Sequence, residues 1–103
     1  MIEIDESFDG RQIDVPAGEV LLIDLKENPT AGYTWHLTGN LEPHLVLEET
    51  TFLPADVNQP GQPGIHRWQL KARESGTAKL DFEYKRSWEN SSERELTFTV
   101  LVT

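Results

Sequence analysis

Apolar and polar residues alternate with a period of two along most of this chain. Ile2 and Ile4 alternate with Glu3 and Asp5, a short strand signal closed by a turn at Asp9-Gly10. Ile13 and Val15 share a face over residues 11–15, and Pro16-Ala17-Gly18 breaks that run. Residues 20–25 are apolar on both faces apart from Asp24, the mark of a buried strand. Tyr33, Trp35 and Leu37 alternate again until Thr38-Gly39-Asn40. Pro43 is expected to keep the next few residues from being helical. Residues 45–52 then suit a strand, although Glu48 and Glu49 would also suit a helix. In residues 65–72, Trp68, Leu70 and Ala72 share a face with His66, while Arg67, Gln69 and Lys71 occupy the other. Glu74-Ser75-Gly76 reads as a hairpin turn. Beyond it, Ala78, Leu80, Phe82 and Tyr84 point one way and Lys79, Asp81 and Glu83 the other. Leu96, Phe98, Val100 and Val102 close the pattern over residues 95–102.

No segment carries a convincing 3.6-residue period. The expected fold is all-β: an immunoglobulin-like antiparallel sandwich of seven to eight strands in one domain spanning 1–103. Cys is absent, so no disulfide joins the sheets, and Trp35 or Trp68 is expected to fill that space. If successive strands from Val20 onward alternate in direction, the connections fall by turns at the two ends. One end then collects residues 26–32, 53–64 and 85–94. The other collects 38–44 and the short turn 73–76. A helix at 45–52 would scramble this order.

Composition narrows the chemistry. The formal net charge of −9 disfavours nucleic acid and anionic membrane surfaces, and would hasten encounter with a basic protein. No apolar run approaches the ~20 residues needed to span a bilayer. Residues 1–6 lack the pattern of a signal peptide, so the expected location is cytoplasmic, or secreted or periplasmic after removal of a leader. His36, His44 and His66 lack metal-ligand spacing and read as surface or boundary residues; no metal, cofactor or catalytic group is expected. Asp81 and Glu83 share a strand face, but a solvated pair of carboxylates is ordinary. Asn90-Ser91-Ser92 matches a glycosylation sequon, a pattern frequent by chance.

Three stretches stand out. In Asn28-Pro29-Thr30-Ala31-Gly32-Tyr33, proline fixes its own φ and glycine permits a sharp turn, so the segment reads as a preorganised loop. Residues 53–64 form a Pro/Gly-rich loop containing Gly61-Gln62-Pro63-Gly64, long enough to expect a function. Arg86-Ser87-Trp88 places Trp88 in a polar loop, either folded back over the sandwich edge or offered to a partner.

In this order the three motifs resemble the chagasin family, protein inhibitors of papain-like cysteine proteases. The family pattern runs N-P-T-T-G-[YF], then G-x-G, then R-P-W, and the tail 92–100 is similar to the family's last strand. The likeness covers the chain from about Val15 onward. Ala31 stands where the family has a second Thr, Ser87 where it has Pro, and Pro63 removes a backbone N–H from the second loop. The resemblance implies an immunoglobulin-like fold and a reversible, non-covalent block of a protease cleft by a monomer. It also implies roles. The loop of Asn28, Pro29, Thr30, Ala31, Gly32 and Tyr33 would lie over the catalytic cysteine. Gly61, Gln62, Pro63 and Gly64 would flank one side. Trp88, with Arg86 and Ser87, would flank the other. The alternative is a non-catalytic module binding protein or carbohydrate through Trp88 and Trp68.

Overall fold

The computed structural model describes residues 1–28, 32–55 and 62–103. Among them are eight strands: β1 (Ile2–Asp5), β2 (Gln12–Val15), β3 (Val20–Glu27), β4 (Tyr33–Thr38), β5 (Leu45–Leu53), β6 (Gly64–Ala72), β7 (Gly76–Arg86) and β8 (Arg94–Val102). A single 3-10 turn, Glu6–Phe8, follows β1. Two four-stranded sheets pack face to face, in the orders β1-β3-β6-β5 and β2-β8-β7-β4. Residues 45–53 are strand throughout, which settles the strand-or-helix ambiguity. A register shift between Leu47 and Glu49 sets Glu48 out of the ladder on this edge strand. Such a bulge, together with two carboxylates, blunts an exposed sheet edge.

Strict alternation of chain direction explains every pairing. Strands separated by an odd number of steps run antiparallel, and those separated by an even number run parallel. The ladders β3/β6, β5/β6, β4/β7 and β7/β8 are accordingly antiparallel. The pairs β1/β3 and β2/β8 are parallel, so the two N-terminal strands add parallel edges to an otherwise antiparallel sandwich.

The core lies between the sheets on the positions that the alternation marks. Leu21, Ile23 and Leu25 of β3 face Leu80 and Phe82 of β7 and Phe98 and Val100 of β8 within one buried cluster. Trp68 and Phe82 meet edge to face at 4.9 Å, and Phe82 and Phe98 at 5.7 Å. Each such buried aromatic or aliphatic side chain contributes about 1.5–3 kcal/mol. Both tryptophans proposed for the intersheet space occupy it: Trp35 is 4% exposed and Trp68 3%.

Candidate functional site

The strand ends show which connections share an end. Glu27, the last residue of β3, pairs with Gly64, the first of β6, and Leu53, the last of β5, pairs with Ile65. In the other sheet Tyr33, the first of β4, pairs with Arg86, the last of β7. Arg94, the first of β8, pairs with Tyr84. The connections after β3, β5 and β7 therefore leave the sandwich together. At the opposite end the backbone N–H of Arg73 donates to the His44 carbonyl at 2.8 Å, and the His44 ring meets the Glu74 carbonyl at 3.0 Å. The β1–β2 connection also emerges at the three-loop end but is tied down. Glu6 accepts from the Lys26 N–H at 3.3 Å, and Asp9 from the Thr97 N–H at 2.8 Å.

The strands bounding these loops run further than alternation alone indicates. Strand β3 reaches Glu27, β5 reaches Leu53, and β7 reaches Arg86. Gly64 is a buried strand residue rather than a loop residue. A β-carbon there would sit 2.5 Å from Cζ of Phe52 and 2.7 Å from the Leu53 carbonyl oxygen, so glycine makes room for the Phe52 ring. Gln62 is exposed and Pro63 half-buried. Pro29, Thr30, Ala31 and Gly61 lie outside the described residues.

Trp88 combines the two roles weighed for it. Gly32 has φ of +85°, a conformation glycine adopts without strain, and a β-carbon on it would lie 2.8 Å from Cη2 of Trp88. The far edge of the indole thus rests on the first loop, while 71% of the residue remains exposed. Arg86 stands beneath. Its guanidinium lies 4.6 Å from the Tyr33 ring centroid and 5.9 Å from that of Trp88, and it donates to Glu89 at 3.0 Å. Stacking and ion pairing fix the planar head, so little freedom remains for it to lose. Ser87 is exposed beside them. The structure thus brings Gly32, Tyr33, Arg86 and Trp88 into one cluster, with Asn28 held from behind by the Tyr84 hydroxyl. That hydroxyl accepts from the Asn28 N–H at 3.3 Å.

Sequence reasoning missed the base of this site. Glu27 is 2% exposed, the buried charged residue among the core positions described. One carboxylate oxygen accepts from the Trp35 N–H at 3.2 Å; the other lies 2.5 Å from Nδ1 of His66. His66, read as a surface or boundary residue, is a boundary residue with its side chain 19% exposed, and it joins this network stacked on Trp68 at 3.8 Å. Continuing the inward phase Leu21, Ile23, Leu25 by one step would have found Glu27. A carboxylate beside a polar loop ordinarily signals the end of a buried run. Trp68 is enclosed, which removes it as a carbohydrate-stacking surface.

Residues 14–102 match the family model described as chagasin family peptidase inhibitor I42. Chagasin of Trypanosoma cruzi is 26% identical over 102 residues, covering 95% of this chain and 93% of the relative. The crystal structure of a cysteine protease inhibitor from Entamoeba histolytica superposes with a TM-score of 0.85 at 26% identity, covering 99% of this chain and 94% of that one. The protein PbICP-C, solved in complex with falcipain-2, shares the fold with a TM-score of 0.62 at 23% identity, covering 100% of this chain and 98% of that one. The sandwich, the three ordered loop motifs and the match along residues 14–102 together place this chain in the chagasin family of peptidase inhibitors, proteins that block proteases rather than catalyse a reaction.

Proposed function

We propose that this chain, acting as one domain of residues 1–103 and as a monomer, is a reversible, non-covalent inhibitor of papain-like cysteine proteases, and that the three-loop end fills the protease cleft. The observation that carries this reading is Trp88, 71% exposed yet braced on Gly32, at the end of the sandwich where the Asn28 and Gln62-Pro63 segments also emerge. A large, rigid, amphipathic side chain held in place before binding is what an interface anchor requires. In this arrangement the segment 28–33 lies over the catalytic cysteine. Gln62 and Pro63 approach from one flank, and Trp88 with Arg86 and Ser87 from the other. Gly64 acts from within β6 by seating Phe52 rather than by touching the protease.

The sequence supplies no thiol with which to trap an enzyme, so the block rests on surface complementarity. A loop that crosses the cleft away from attack geometry is not cleaved. Titrating papain and a panel of related proteases with the protein tests the reading. Competitive inhibition, with activity recovered on dilution and the inhibitor intact, is the expected result. No inhibition at micromolar concentration across the panel refutes it and favours a non-catalytic binding module. In that module Trp88 would remain the exposed contact.

A further inference from the structure

One buried carboxylate joins the roots of the protease-facing loops. Glu27 ends β3 in one sheet, and its Oε1 accepts from the backbone N–H of Trp35 on β4 in the other at 3.2 Å. Strand β4 is a sheet edge, so among the described residues this N–H has no ladder partner on that side. The preceding residue grips the same tryptophan a second time: the indole Nε1–H donates to the Lys26 carbonyl at 2.8 Å. Residues 26 and 27 thus hold Trp35 at two points and fix both ends of the first loop. The second oxygen of Glu27 reaches sideways to His66 Nδ1 at 2.5 Å, two residues into β6. The other ring nitrogen of His66 meets the Thr50 hydroxyl at 2.7 Å, so both strands flanking the second loop are tied in. Tyr84 completes the set from the third loop's stem. Its ring lies 4.8 Å from that of Trp35 and 5.6 Å from that of Tyr33, and its hydroxyl accepts from the Asn28 N–H.

Stability alone does not call for an ion in this place. Removing a carboxylate from water costs several kcal/mol, and well-packed apolar replacements of buried ion pairs are often neutral or stabilising. What an apolar side chain cannot do is bond in two directions at once and so fix the relative position of two sheets. We propose that Glu27 and His66 are positioning residues: a clamp that sets the spacing of the inhibitory loops and so determines inhibition strength without touching the protease. This rests on the inhibitor reading above.

The clamp has a chemical signature. A carboxylate accepts from His66 whether the ring is neutral or cationic. In Glu27→Gln, Oε1 can still accept from Trp35, and Nε2 can donate to Nδ1 of a neutral His66 whose proton has moved to Nε2, facing Thr50. That arrangement is lost once both ring nitrogens carry protons. The groups against the ring are Glu27 from β3, Thr50 from β5 and Trp68 on its own strand.

The experiment compares wild type, Glu27→Leu and Glu27→Gln by papain inhibition at about pH 8 and at about pH 5. Thermal unfolding and amide exchange at Trp35 are measured on the same samples. Glu27→Leu is expected to inhibit about tenfold or more weakly, with faster exchange at Trp35 and a lower melting temperature, because it leaves the buried Trp35 N–H and His66 Nδ1 without their acceptor. Glu27→Gln is expected to match wild type at the higher pH and to lose inhibition at the lower one, where wild type does not. Equal inhibition by wild type and Glu27→Leu overturns the clamp, as does a Glu27→Gln profile parallel to wild type. If Glu27→Leu unfolds, the Glu27→Gln profile alone decides. If wild type itself fails to inhibit, the inhibitor reading falls, and unchanged exchange at Trp35 would then overturn the clamp separately.

Discussion

Truncating Trp88 separates binding from folding at a single side chain. A tryptophan buries roughly 150–250 Å² when enclosed. With 71% of it exposed here, about 170 Å² is open to a partner. At about 25 cal/mol per Å² that surface is worth about 4 kcal/mol as an upper bound. Ordering the side chain on docking costs about 0.5–1.5 kcal/mol, and the alanine methyl retains a little contact. The brace against Gly32 brings the ordering cost toward the lower figure. Trp88→Ala should therefore weaken binding by about 2–3 kcal/mol, or about 30- to 150-fold in the inhibition constant. Net charge is unchanged, so encounter is unaffected and the loss should appear in the dissociation rate. Progress curves of papain with a fluorogenic peptide measure both rates, and a thermal scan of the free protein supplies the control. The melting temperature should move by less than about 4 °C, because little of the residue is packed. Inhibition constants within about threefold of each other would show that Trp88 is no anchor, as would a stability loss as large as the binding loss.

Two further substitutions probe the scaffold. Gly76 has φ of +138°, and its missing β-carbon leaves the place taken by the His44 ring, itself bonded to Glu74. Gly76→Ala should cost about 2 kcal/mol or more, seen as a melting temperature lower by about 8 °C or more. Papain inhibition at permissive temperature should be unchanged, because this turn lies opposite the loops. On the outer face of the first sheet, Arg67 donates to both oxygens of Asp24 at 2.7 and 2.8 Å, and that hydrogen-bonded carboxylate raises the arginine further above its already high range. Both side chains are partly exposed, so Asp24→Asn should cost about 1 kcal/mol or less in denaturant unfolding, and the cost should shrink as salt is added.

Hydrophobic patterning was enough to place β3 to β8 to within a residue or two at most ends: alternation marked the strands that bury one face, and an unbroken apolar run marked β3, which is buried on both. Alternating direction then put three connections at one end, and the pairings Glu27 with Gly64 and Tyr33 with Arg86 agree with that order. Strand 45–53 was harder to read. It is an edge strand with a bulge at Glu48 and several exposed residues, so its burial pattern is blurred. The parallel placement of β1 and β2 depends on which sheet each joins, a choice that local sequence does not encode.

Determined by sequence alone were the strand pattern, the absence of cysteine chemistry and the order of the three loop motifs, since these depend on spacing and residue type. The tertiary structure decided the rest. It set the edge of Trp88 on Gly32, seated Phe52 over Gly64, and made Glu27, which falls within the 26–32 connection by sequence, a bridge between sheets. The physical reason is that a carboxylate's environment is made by its partners. Those of Glu27 come from eight residues further along the chain, at Trp35, and thirty-nine further, at His66. No local pattern records that these partners converge on one side chain.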